Sequence, residues 1–70
     1  MQVHGSIRIT KRDRVLRAWQ NAMELVRDYQ LYAKEVDDPT LSDLFSRGAD
    51  AIGHQAAAFH DVLAEMAQEE

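Results

Sequence analysis

Asp50 and His54 stand one helical turn apart in the sequence, Asp61 follows on the same helix face, and Arg47 and Glu65 lie close by. A carboxylate and an imidazole at that spacing can clasp a divalent ion weakly or form a simple ion pair. Opposite charges so spaced are also ordinary on a solvated helix surface, and the pattern favours that plainer reading. His60 falls at the edge of an apolar stripe, beside Ala49 and Ala56, where a boundary histidine at a subunit contact is expected rather than a metal ligand. His4, His54 and His60 lack the paired spacing of a zinc module, and with Cys 0 the chain has no thiolate to add. Trp19, Tyr29 and Tyr32 are of the types that serve cofactor or radical sites, but their helical spacing fits core packing better. Neither a glycine-rich phosphate loop nor a nucleophile elbow is present.

The elements that must position these groups are two helices. Thr10, followed three residues later by Asp13, makes a capping pair, so a helix is predicted from residue 10 to residue 36. Its inward positions are Val15, Trp19, Ala22, Val26, Tyr29, Ala33 and Val36, alternating steps of four and three. Ala18, Leu25 and Tyr32 widen that stripe on one flank, and Leu16 and Met23 on the other. Asp37 and Asp38 make the turn. Pro39 disfavours helical geometry in the residue before it, yet fits the first position of a new helix that Asp38 can cap. The second helix is predicted over residues 39–68, about 45 Å long at ~1.5 Å per residue. Its stripe runs Leu41, Phe45, Gly48, Ile52, then Gln55 or Ala56, Phe59, Leu63 and Met66, broadened by Leu44, Ala51 and Val62. An interior glycine costs ~1 kcal/mol relative to alanine, which at Gly48 suggests close approach of the helices. Gly53 lies nearer the outside. Ahead of all this, residues 1–9 carry Val3, Ile7 and Ile9 at alternate positions and are expected to form an extended arm.

So short a turn makes the helices antiparallel neighbours. The fold class expected is therefore all-α. At 70 residues the chain supplies one small core without disulfides, and domains of this size usually need further burial. Two apolar faces this wide are not covered by one neighbour each. Two hairpins placed face to face make a four-helix bundle, so a homodimer or a multiple of one is expected.

The net charge of -4 argues against general nucleic-acid affinity. Arg8, Lys11, Arg12, Arg14 and Arg17 gather near the start, while Asp61, Glu65, Glu69 and Glu70 gather at the end. An antiparallel hairpin brings these groups side by side, where mutual neutralisation is expected rather than a nucleic-acid patch. The start lacks the basic-then-apolar pattern of a signal peptide, and no run is long enough to span a membrane. A cytoplasmic protein without membrane or nucleic-acid partners is the expectation.

The string Tyr29-Gln30-Leu31-Tyr32-Ala33-Lys34-Glu35, then Asp38-Pro39-Thr40-Leu41 and Phe45, resembles the helical hairpin of rubrerythrin and other ferritin-like proteins. The resemblance covers roughly residues 19–66. It implies a di-iron site built from a glutamate about two turns before the tyrosine and a Glu-x-x-His pair on the second helix. Aligning on Tyr29 and Phe45 puts Ala22 at the first of these positions, and Ile52 and Gln55 at the others. Every ligand that the hairpin should supply is absent. Glu24 and Glu35 point away from the core stripe and make poor substitutes. The expectation is a non-enzymatic, metal-free, ferritin-like hairpin, without cofactor or catalytic residues, that self-associates as a structural or protein-interaction module. The alternative is an iron-handling or oxidase protein with a metal site rebuilt between subunits from Asp50, His54, His60 or Asp61.

Overall fold

The computed structural model describes residues 8–69. Most of the expected N-terminal arm lies outside the described residues. Its last two residues, Arg8 and Ile9, take neither helix nor strand, and Ile9 is 62% exposed. Its carbonyl accepts a hydrogen bond of 2.9 Å from the Arg14 guanidinium.

Helix α1 spans Lys11–Glu35 and α2 spans Pro39–Glu69. Thr10 is extended, with φ -87° and ψ 170°, and caps α1 from outside. The Thr10 hydroxyl accepts from the Asp13 amide at 3.1 Å, and the Thr10 amide donates to the Asp13 carboxylate at 3.0 Å. Two amides that a helix start would otherwise leave without partners are thus satisfied reciprocally. At the other end Val36 turns extended, while its amide still donates to the Tyr32 carbonyl at 3.0 Å. The helix therefore stops one residue short of the apolar repeat that defines it.

The turn is built as its residue types require. The Asp38 carboxylate accepts from the amides of Thr40, at 2.9 Å, and Leu41, at 3.2 Å, and the Asp38 carbonyl accepts from Ser42 at 2.8 Å. Pro39 occupies the first helical position and has no amide to satisfy. One further bond ties the arms together beside the turn: the Ser42 hydroxyl donates to the Ala33 carbonyl at 2.7 Å, part-buried. The sequence reading missed this tie, because a serine in the first turn of a helix looks like one more capping residue.

The helices pack against each other as a hairpin, and the Cα atoms extend only 11 Å along the shortest axis. This is a slab one helix thick. Side by side in it, Tyr29 and Tyr32 both meet Phe45, with ring centroids 5.5 and 5.4 Å apart. Farther along, Trp19 meets His60 at 5.6 Å. The Tyr29 ring lies on Gly48: a Cβ there would sit 2.9 Å from Cδ2 and 3.0 Å from Cε2. Gly48 thus makes the room that its place in the stripe suggested.

Candidate functional site

Among the described residues the buried apolar side chains are three alanines, Ala22, Ala49 and Ala56, and no large side chain is fully buried. The seam between α1 and α2 is therefore thin. Val15, Trp19, Val26, Tyr29, Phe45, Ile52, Phe59, Leu63 and Met66 are only half-buried around it.

Helical geometry, about 100° per residue, sorts the rest onto the two faces of the slab. Tyr32 reaching Phe45 and Trp19 reaching His60 fix which side of α1 goes with which side of α2. Leu25 and Tyr32 of α1 then share a face with Leu41, Leu44 and Val62 of α2. These make five of the eight large hydrophobic residues that are exposed among those described. Gln55 lies in the middle of the same face, exposed, and its amide has no hydrogen-bond partner among the described residues. The opposite face carries Leu16, Met23, Gln30, Ser46, Gly53, Ala57 and Ala64, a thinner and more polar mixture. Nothing lies within 4 Å of a Cβ built on Gly53.

Monomers rarely leave contiguous apolar patches much above ~300–600 Å² uncovered. Leu25, Tyr32, Leu41, Leu44 and Val62 leave apolar side chains exposed together on this face, and exposed apolar surface of that kind marks interaction sites.

The polar residues singled out in the sequence are placed elsewhere. Asp50, His54 and Asp61 are exposed on the edge of α2 that points away from α1. Asp50 and His54 form no ion pair, and Arg47 instead pairs with Asp43, one turn back, at 2.8 Å. His60 is exposed but its ring packs, tilted by 50°, against Trp19 of its own chain, a contact the sequence reading did not anticipate. Trp19, Tyr29 and Tyr32 pack as rings at the helix contact, two of them around Phe45. Among the described residues, no three His, Asp or Glu side chains come together in a group that could hold a metal ion.

At the positions where a ferritin-like hairpin carries ligands, Ala22 is buried in the seam, Ile52 is half-buried and Gln55 is exposed on the apolar face. None of the three offers a carboxylate or imidazole. The surface depressions are open grooves, one of them lined by Ile9, Asp13, Arg14 and Arg17 around the start of α1. Asp13 and Arg14 are engaged there by Thr10 and by the Ile9 carbonyl. The hydrogen bond from the Thr10 amide holds the Asp13 carboxyl below its ordinary value of 3.8, with help from the Thr10 side chain and smaller help from the charges of Arg12 and Arg14. Among the described residues no helix is long and apolar enough to cross a membrane. Comparisons with protein-family models, with curated proteins and with solved structures give no match.

Proposed function

We propose that this chain is a non-enzymatic, metal-free module that self-associates through its broad apolar face. Two hairpins then form a four-helix bundle with a structural or protein-interaction role. The observation that carries the proposal is the mismatch between the two apolar regions: the seam buries alanines, while Leu25, Tyr32, Leu41, Leu44 and Val62 stay exposed on one face. Ordering some seventy residues costs on the order of 100 kcal/mol, and a seam whose large side chains are only half-buried offsets too little of that alone. A second hairpin on the exposed face supplies the missing burial without any change in the chain's own packing.

The resemblance to ferritin-like hairpins supports the same architecture. It argues against the chemistry of that family in this chain, because Ala22, Ile52 and Gln55 offer iron no hard anionic ligand. The edge residues Asp50, His54 and Asp61 point away from the face that would be covered, so closing the bundle does not gather them. Elemental analysis of the purified protein tests the reading. Substoichiometric iron, manganese and zinc are expected; one or more equivalents of metal held in the bundle core would overturn it.

A further inference from the structure

The outer edges of the slab carry charges that the hairpin itself does not use. The start of α1 is basic and the end of α2 acidic, yet Arg17, Asp28, Asp61 and Glu65 form no ion pair among the described residues. Helical geometry gives the reason: Arg17 and Asp28 project from the side of α1 away from the seam and Glu65 from the side of α2 away from it, so both helices stand between them. Levels along the slab are set by contacts. Tyr29 lies on Gly48, Ala33 accepts from Ser42 and Trp19 meets His60. On that scale Asn21 is level with Gln55 and Tyr32 with Leu44, all four exposed on the apolar face. At its rim Arg14 is level with Glu65, and Asp28 with Arg47, again all exposed.

We infer that the occupant of this face is a second copy whose two-fold axis runs parallel to the helices, so that α1 of each copy lies over α2 of the other with both turns at one end. A pure two-fold along the helices involves no sliding, so each residue of α1 meets the other copy's α2 at its own level. The register is then fixed by symmetry. Asn21 of one copy faces Gln55 of the other in the middle of an apolar surface. Each carboxamide has donors and an acceptor for its mate, and burying either alone would be costly. Tyr32 faces Leu44, Arg14 faces Glu65, and Asp28 faces Arg47, which also holds Asp43 of its own chain at 2.8 Å. Against these stands the like-charged meeting of Glu35 with that same Asp43. With the axis laid across the helices instead, α2 covers α2. Its edge bears Asp43, Asp61 and Glu65, and Arg47 is the only Lys or Arg of the helix, so acidic groups would face acidic groups. Rim charges thus choose the orientation, while the apolar face supplies the burial. The interface is isologous and closes at two.

This inference rests on the self-association proposed above, and one set of variants separates the two. The chain has no cysteine, so any disulfide between chains that each carry one introduced cysteine joins two copies. A mixture of Asn21→Cys and Gln55→Cys chains is expected to oxidise to the heterodimer roughly tenfold faster than either variant links to itself, because the interface raises the effective concentration of that pair of thiols. A second readout needs no thiol. Arg14→Glu is expected to weaken the dimer about threefold at low salt, and Glu65→Arg in the same chain to restore it. If sedimentation shows a dimer but Gln55→Cys chains link to one another as fast as the mixture does, or the charge swap restores nothing, the axis is misplaced while self-association stands. If sedimentation shows a monomer, both fail.

Discussion

The seam between α1 and α2 and the broad face beside it divide the apolar residues of this chain unevenly. The seam has the specific contacts: the Ser42–Ala33 hydrogen bond, the rings of Tyr29, Tyr32 and Phe45, and the glycine that admits Tyr29. The face has apolar side chains that the hairpin leaves in water, with Leu44 at 63% exposure and Leu25 at 42%. Specific contacts fix how the hairpin closes, whereas apolar area decides whether closing is favourable at all. On the proposed reading such a chain is half of a core, and a second copy completes it.

The comparison breaks most visibly if charge is placed on the face. Leu44 and Leu31 are both exposed, at 63% and 50%, but Leu31 points from the outer edge of α1 and Leu44 from the apolar face. A carboxylate buried without a partner costs ~3 kcal/mol or more, so Leu44→Glu is expected to weaken the dimer about 100-fold or more. Leu31→Glu is expected to leave the sedimentation profile unchanged. Equal effects of the two would mean that the face has no special role.

The seam is tested by its two glycines. Gly48→Ala forces the Tyr29 ring off its place between Phe45 and Tyr32. Overpacking of that kind costs ~1–3 kcal/mol against a helix-propensity gain of ~1, so a net loss of about 1 kcal/mol is expected in chemical denaturation. Gly53→Ala meets open space and should stabilise by up to ~1 kcal/mol. A loss at Gly53 would instead make the thinner face an interface.

The smallest effect is at the start of α1, away from both regions. The folded-state pKa of Asp13 lies below its ordinary 3.8. Its contribution is therefore fully present above the unfolded-state value and is lost as the pH falls through the lowered one. Circular dichroism is expected to show α1 fraying in that acid window, and Asp13→Asn to remove the corresponding pH dependence while weakening the cap at neutral pH.

The hairpin was legible because its signals are local. Thr10 with Asp13 and Asp38 with Pro39 mark helix ends by chemistry confined to a few neighbouring residues, and the apolar stripe of α1 keeps its period from Val15 to Val36. Gly48 was readable for the same reason, as a glycine on a core stripe. The pairing of Trp19 with His60 and the bond from Ser42 to Ala33 were not, since each depends on how the two packed helices are offset against each other. The exposed face was legible only as excess width in the stripes. Ala22 reads as core from its period and is buried; Gln55, placed by the same period at the edge of the core stripe, is exposed. A helical repeat tells which residues share a side, but not which of two neighbours that side will meet.

The most direct test of this division between seam and face is native mass spectrometry of the purified chain, which weighs the assembly and any bound metal together. A dimer whose mass is that of two polypeptides and nothing more is expected. A monomer at micromolar concentration would contradict it, because the exposed face would then be stable in water without a partner.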